Sequence, residues 1–532
     1  MMTSAQVRPV EDPIERLLRE QRERQRDAQS KERPTIGGVA AGEDIDRLPP
    51  AKIAETGPTF PIDRIRVTGN TLLKPKALAQ TVAPFQSIEL GTNRINALLR
   101  RLTKLYFDEG FITTRVYLGP QSLSERELEI TVVEGFIERI DYREKDRASR
   151  TGWALPFAPG ERLSLWRLEQ GLEQLNRLSR NRAELQIVAG ERPGGSVIEV
   201  SNRPSKSWTV SGGVDNFGQP ASGQNRLRAT LELENLTGLQ ESTSLTYSGS
   251  RETNAVLFAA SVPLGFSTLS YSAAYSEYQS PVGDFALLFG DSRTQTVGLN
   301  RVIGRDSRGK TAVDLSLVHR HSRRIIDDVS LIPQRLTNVR LSGSRTRRFD
   351  AGNLVAELGW VRGTKIRRAT TDPAGIDPET AHAQFNKLEG FLTLQRQWGQ
   401  ALLSRHTVQF QYSSRALFGA DQIYVGGLAS VRGFADSTIV GDQGLFSRNE
   451  LSRRFAPQSL RDWGSGEVYV AADAGGARQV FESRFRGLAG VAIGARAQSR
   501  SMTAELSFAR GIAASPGIAK ASVLAASLNF RL

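Results

Sequence analysis

The stretch Leu354-Val355-Ala356-Glu357-Leu358-Gly359-Trp360 decides the fold. Leu354, Ala356, Leu358 and Trp360 alternate with Val355, Glu357 and Gly359, a period of two that gives a strand one apolar face. Leu227, Ala229, Leu231 and Leu233 repeat the pattern against Arg228, Thr230 and Glu232. Leu524, Ala526, Leu528, Phe530 and Leu532 repeat it against Ala525, Ser527, Asn529 and Arg531. From Lys206 to the C-terminus helical periodicity is absent, and about sixteen such segments of roughly ten residues follow one another, an even number and a membrane-crossing length for tilted strands. Every second connection is long and polar (Gln279 to Ser292, Thr364 to Gln384, Asp421 to Gln443), whereas the intervening ones are tight, as at Val262-Pro263-Leu264-Gly265 and Arg348 to Asn353. A soluble sandwich has no reason to sort its loops in this way; a barrel with long outside loops and short periplasmic turns does.

Composition agrees with that reading. The chain has 532 residues, 39% of them hydrophobic, and a mean hydropathy of -0.33. No stretch approaches the ~18 consecutive apolar residues of a membrane helix, but barrel strands never look greasy on a hydropathy scale. Cysteine is absent, which excludes a disulfide framework, a zinc-thiolate site and a cysteine nucleophile. The net charge of +14 is spread along the chain without a basic block interleaved with aromatics, so no nucleic-acid partner is expected. Met1 to Ala5 lacks the basic-then-apolar layout of a secretory signal, so a processed or replaced N-terminus is expected, and nothing there places the protein in the cytoplasm.

The first two hundred residues read differently. Residues 1–30 hold the one strongly charged helical run, Glu11 to Asp27: Ile14, Leu17 and Leu18 fall at i, i+3 and i+4, and Arg19 to Arg26, including Arg22, is all Arg, Glu and Gln. Such a helix is either a solvated tail or one that lies in a water-filled, charged cavity. Residues 31–58, with Pro34, Gly37-Gly38 and Pro49-Pro50, have linker composition. Residues 59–135 and 136–206 then read as two β-α-α-β-β units in tandem. In the first, Arg64 to Val67, Ile112 to Leu118 and Leu128 to Val133 are the strands and Lys74 to Phe85 and Ile95 to Tyr106 the helices. In the second, Ile137 to Tyr142, Ala183 to Val188 and Val197 to Val200 are strands and Leu165 to Leu178 is the stronger helix. Residues 207–532 form the barrel.

Chemistry is sparse. Gly304-Arg305-Asp306-Ser307-Arg308-Gly309-Lys310-Thr311 matches the phosphate-loop pattern, but Val313, Leu315 and Leu317 continue it with period two where the chemistry needs a helix. It is read as a barrel turn. His319 and His321 are read as lumen-facing polar filler, since two imidazoles without a third ligand make no metal site; no metal, cofactor or catalytic constellation is expected. What stands out is Val431-Arg432-Gly433-Phe434, in a glycine-flanked loop at about 421–444. Val468, Val470, Ala472 and Ala474 take one strand face, so Tyr469, Ala471 and Asp473 take the other. With the apolar face toward lipid, Asp473 points into the lumen, where it can form a charge-assisted pair with Arg432.

These features together resemble one family. The tandem units, Gly110-Phe111-Ile112-Thr113-Thr114-Arg115-Val116 leading to Val133-Glu134-Gly135, Asn202-Arg203-Pro204, Asp215-Asn216-Phe217-Gly218 and Val431 to Phe434 are similar to those of TpsB transporters of two-partner secretion, the haemolysin and filamentous-haemagglutinin secretion pores. The resemblance implies a mainly β fold: a sixteen-stranded antiparallel outer-membrane barrel, two periplasmic POTRA domains that capture cargo through sheet edges and helices, and an N-terminal plug helix. It also implies an inward-folded loop whose Arg432 binds Asp473 as a conformational lock. The implied partners are a secreted TpsA-type exoprotein (adhesin, cytolysin or contact-dependent toxin), outer-membrane lipid or lipopolysaccharide, and the barrel-assembly machinery. The implied function is ATP-independent export; a barrel-assembly insertase of the same superfamily and a passive porin are the alternatives. Leu532 stands where such barrels usually end in an aromatic, with Phe530 two residues before it. Phe107-Asp108-Glu109 is more acidic than the pattern.

Overall fold

The computed structural model describes residues 12–31, 48–143, 151–282, 286–434, 437–455 and 464–532. Residues 1–11 and 32–47, which take in Met1 to Ala5, Glu11 and most of the expected linker, lie outside the described residues. The first helix, α1 (Pro13–Lys31), starts at Pro13, whose missing N–H is no loss in the first turn, and Asp12 Oδ1 accepts from the Ile14 amide at 3.0 Å.

The first α+β unit comprises β1 (Phe60–Ile62), β2 (Arg64–Thr68), α2 (Pro75–Val82), β3 (Ile88–Leu90), α3 (Thr92–Asp108), β4 (Arg115–Tyr117) and β5 (Glu127–Val133). Its sheet runs β2-β5-β4 with β2 parallel to β5, and β1 and β3 form a small extra pair absent from the sequence reading. Ile95, Leu98, Leu102 and Tyr106 recur at helical spacing and bury one stripe of α3 against Leu128, Ile130 and Val132, the inner face of β5. The end of the linker is tied in: Glu55 accepts from the amides of Gly91, Asn93 and Arg94 at 3.1, 2.9 and 2.8 Å and caps α3. Burial pushes its carboxyl up, but the three amides outweigh that and hold it below the usual carboxylate range.

The second unit holds β6 (Phe136–Tyr142), α4 (Leu165–Asn176), β7 (Ala183–Ala189) and β8 (Gly195–Asn202), in the order β6-β8-β7. Here the β-α-α-β-β expectation needs correction: among the described residues α4 is the one α-helix, and Thr151–Trp153 is a single 3-10 turn. The two units meet where Gly110, at φ +88, lets Trp166 pack against its Cα, and the Leu165 amide donates to the Gly110 carbonyl at 2.8 Å.

Sixteen strands close an antiparallel barrel. They are β9 (Trp208–Asp215), β10 (Arg226–Glu234), β11 (Ser242–Ser250), β12 (Thr253–Leu264), β13 (Ser267–Val282), β14 (Ala286–Asp306) and β15 (Gly309–Ile326). After the two-residue β16 (Val329–Ser330) come β17 (Gln334–Phe349), β18 (Gly352–Thr364), β19 (Asn386–Trp398) and β20 (Leu402–Ser413). A small hairpin, β21 (Ile423–Val425) with β22 (Ile439–Gly441), precedes β23 (Gln443–Phe455), β24 (Ser465–Arg478), β25 (Arg486–Gln498), β26 (Met502–Ala514) and β27 (Ser522–Arg531). Leu315, Leu358, Val470, Ile493 and Leu506 point outward and are exposed, as a lipid-facing band requires.

Two expectations change. Gln279 to Ser292 is no loose loop, because β13 and β14 stay paired up to Val282↔Ala286 and β14 runs for 21 residues, about twice the span a tilted strand needs. His319 and His321 share the outward parity of Leu315 and Leu317, while Val318 and Arg320 line the lumen, so the histidines are not lumen filler.

At one end of the barrel α4 and the turn after it sit on successive tight turns. Glu173 takes Arg305 and Lys310, Gln174 donates to the Gly265 carbonyl at 2.9 Å, Arg177 donates to Ser261 at 2.6 Å, and Glu234 accepts from the amides of Ser179 and Arg180, both at 2.9 Å. The phosphate-loop match is therefore a β14–β15 turn whose Arg305 and Lys310 are spent on docking the second unit.

The barrel seam is thin. β27 pairs β9 over five residue pairs against nine between β26 and β27. Asn216 extends the seam with a side chain that copies a main chain: its Nδ2 donates to the Leu524 carbonyl at 2.7 Å and its Oδ1 accepts from the Ala526 amide at 2.8 Å. Replacing Asn216 with Ala removes two hydrogen bonds, about 1–2 kcal/mol. The temperature at which the folded barrel loses its compact electrophoretic mobility is expected to fall, and an unchanged midpoint contradicts a seam role for Asn216.

Candidate functional site: the folded loop and the helix in the lumen

The loop between β20 and β23 folds into the barrel. Asp442, fully buried, anchors its base by accepting from the amides of Leu417 and Val480 at 2.8 and 2.9 Å and from Gln422 at 2.9 Å. Ile423, Val425, Val431, Phe434 and Ile439 then pack on Phe446, Ala477 and Leu488 of the wall. The tip reaches the wall because of a glycine floor: Gly490 and Gly511 face each other across β25 and β26, and a Cβ on either would strike the Arg432 carbonyl or the Phe434 ring.

Over that floor Arg432 makes a two-pronged contact. Its Nε donates to Asp473 Oδ2 at 2.6 Å and its Nη2 to Oδ1 at 2.9 Å, the Arg432 amide adds a bond at 3.2 Å, and Nη1 reaches Glu450 at 3.2 Å. Arg432 and Asp473 are each 3% exposed. A charge so buried is tolerable only when paired, and Asp473, which also accepts from the Asn449 amide at 3.3 Å, is surrounded by donors. Around the pair runs a wider ring that sequence reading missed. Arg496 joins Glu450, Glu467 and Glu505, and Tyr469 lies under Arg496 at 4.1 Å and under Arg432 at 5.7 Å. These residues come from four neighbouring strands and meet only when those strands pair, so no local spacing announces the ring.

Helix α1 fills much of what the loop leaves. Ile14 and Leu17 are buried on Ala255, Leu257 and Ala274 of the inner wall, with Leu18 beside them. The signal for this seat is legible in hindsight: Ala255 to Ala260 is apolar at every position, so β12 has no polar inner face there. The rest of the contact is polar. Asp12 accepts from the hydroxyls of Ser276 and Ser292, Glu15 pairs with Arg320, and Glu20 pairs with Arg226, at 2.8 Å, and with Arg228. Arg226 holds Asp215 at 2.7 and 3.1 Å with its other edge, which ties the helix to the strand that forms the seam. Arg19 stacks on Tyr424 of the loop hairpin at 5.7 Å, and Arg22 lines the same lumen cavity as Arg340 and Glu389. Helix and loop therefore touch each other as well as the wall. Among the described residues no group of His, Cys, Asp or Glu is arranged to hold a metal.

A barrel whose lumen holds its own helix and loop, preceded by two small α+β units, is the build of an outer-membrane transport pore. Residues 194–497 match the haemolysin secretion/activation protein family ShlB/FhaC/HecB, residues 60–135 match the ShlB-type POTRA domain and residues 136–189 a POTRA domain. The chain belongs to that family and is an outer-membrane protein with periplasmic POTRA domains. It is similar to the outer membrane transporter CdiB of Escherichia coli O6:K15:H31, 30% identical over 487 residues, 89% of this chain and 81% of the relative. It is 32% identical to the hemolysin transporter protein ShlB of Serratia marcescens over 418 residues, 76% of this chain and 74% of that one. Among solved structures, CdiB from Escherichia coli superposes with a TM-score of 0.86 at 27% identity, covering 98% of this chain and 97% of the other.

Removing one partner of the Arg432–Asp473 pair strands a buried charge, at a cost of about 3–5 kcal/mol. Arg432→Ala and Asp473→Ala are each expected to loosen the loop, and the double variant to do little more harm than either alone. Strictly additive losses in thermal stability and secretion mean that the two residues do not act together. Deleting residues 1–34 is expected to raise single-channel conductance in a planar bilayer; unchanged conductance contradicts a plug role for α1.

Proposed function

We propose that this chain exports one large, unfolded exoprotein of the TpsA type across the outer membrane, and that α1 and the Val431 to Phe434 loop are its two movable closures. The observation that supports the reading is the way the helix and the loop are held in the lumen. Apart from the Ile14 and Leu17 seat, α1 is held by carboxylates and hydroxyls that can be re-solvated, not by an apolar core. Arg432 is the corresponding lock on the loop, and shifting such a contact from mostly closed to mostly open needs a differential interaction of only about 5 kcal/mol. A chain threading through the lumen can supply that from its own contacts.

Capture is assigned to the POTRA domains. β4 and β7 are edge strands, with free main-chain groups on one side to which an extended segment can add as a further strand with little demand on its sequence. Nothing in this scheme uses ATP, and folding of the cargo outside biases the direction. The named transport of haemolysin by one relative fits a cytolysin; an adhesin or a contact-dependent toxin fits equally. Outer-membrane lipid around the wall and the barrel-assembly machinery during biogenesis complete the proposed partners.

Deleting residues 60–202, while retaining the barrel, is expected to lower secretion of the cognate exoprotein at least tenfold with the barrel still in the outer membrane. Undiminished secretion sinks this reading.

A further inference from the structure

The outer wall of the barrel carries a cationic patch that neither the loop, the helix nor the periplasmic units use. Pairing across β13, β14, β15 and β17 sets Tyr275, Arg293, His321 and Arg335 in one row, all on the outward parity. Two rows toward the periplasm the same four strands present Tyr271, Val297, Leu317 and Val339, and the next outward row is Leu269, Leu299, Leu315 and Leu341. The wall thus changes from wholly apolar to cationic within two rows, about 14 Å of strand. Its depth follows from the chain: His321 lies twelve residues beyond Gly309 at the periplasmic turn. That is about 40 Å of strand, or roughly 30 Å along the membrane normal at a tilt of about 45°, the thickness of the hydrocarbon layer.

More charge converges on the row. Arg367, from the connection after β18, reaches Gln295 at 3.3 Å, and Arg323 is held to Asp291 at 3.0 Å with its side chain still 56% exposed. His321 faces Arg335, Arg323, Asp291 and Arg293, and His319 faces Arg367 and Arg335. Arg293 stacks on Tyr275 at 5.8 Å, while Arg335 donates to the His321 ring at 3.3 Å. Among the described residues Arg293, Arg335 and Arg367 form no ion pair. Glu277, the remaining nearby acid, is taken by the Tyr275 hydroxyl and Asn254.

The geometry points to a docking site for a phosphorylated glycolipid of the outer leaflet, with acyl chains on the apolar rows and phosphate on the forks of Arg293, Arg335 and Arg367. A guanidinium presents paired donors that match phosphate oxygens, and an aromatic at the same level is the usual marker of the headgroup boundary. Outward parity excludes cargo in the lumen as the occupant. The inference deepens the lipid contact proposed above and rests on the outer-membrane placement of the barrel, not on export.

The test uses the full chain purified in detergent, with deep-rough lipopolysaccharide, its enzymatically dephosphorylated form, phosphatidylglycerol and inorganic phosphate as separate probes in native mass spectrometry and thermal-shift titration. Intact lipopolysaccharide is expected to bind, and the triple variant Arg293→Gln, Arg335→Gln and Arg367→Gln to bind it about tenfold more weakly. Loss of two exposed periplasmic-rim arginines, Arg453→Gln with Arg500→Gln, is expected to leave binding unchanged. Equal binding of the dephosphorylated lipid, equal binding by the triple variant, or phosphatidylglycerol or phosphate binding as tightly as lipopolysaccharide overturns the site. These outcomes are read on purified protein, so they leave the export reading intact, and a failed secretion assay leaves the lipid site intact.

Discussion

A closed barrel of sixteen strands encloses more space than its own inward side chains can fill, and the rest of this structure answers that constraint. Small barrels of about eight strands are plugged by side chains alone, whereas at sixteen an open aqueous channel results unless something else occupies it. Here the occupants are a helix from one end of the chain and a loop from between two late strands. Both are charged, because the inner wall is charged, and both are held by pairing with it. The Arg432–Asp473 contact is the most buried of these pairs and the α1 contacts with Arg226, Arg228 and Arg320 are the most widely spread.

The same constraint explains which parts were legible in the sequence. Lipid outside and water inside impose opposite chemistry on alternate residues, so period two in Leu354 to Trp360 is enough to place a strand, and parity in Val468 to Ala474 is enough to put Asp473 on the inner face. Length was not legible: β14 continues past the membrane because its pairing with β13 and β15 continues, and the turn-forming residues Pro281, Gly283, Asp284, Gly290 and Asp291 imitate a loop in the sequence. The histidine error has the same origin. Parity puts His319 and His321 outside with Leu315 and Leu317, but polarity alone suggested the lumen, since the headgroup level lets an outer face turn polar. Among the described residues the second unit holds one α-helix where the first holds two, so a repeat read from strands need not repeat its helices.

Partners distant in sequence were the least legible. Glu20 meets Arg226 and Arg228 across two hundred residues of chain, and Glu450 and Arg496 join the Arg432 ring from separate strands. A helix that reads as a solvated tail in isolation becomes half of a charge-complementary seat once the barrel closes. The coupling is mechanical as well as electrostatic: Arg19 touches the loop through Tyr424, and Glu20 touches the seam strand through Arg226 and Asp215. A segment entering the lumen would meet contacts that connect the helix and the loop.

For cargo to pass, the helix must leave its seat in the lumen under the export scheme proposed above. The chain contains no cysteine, so a single engineered pair reports without background. Leu17→Cys with Ala255→Cys places two thiols in one apolar cluster of helix and wall. Oxidative cross-linking of that pair in the outer membrane is expected to stop secretion, and a reductant to restore it. Secretion that continues at full rate with the cross-link intact means that the helix does not have to move.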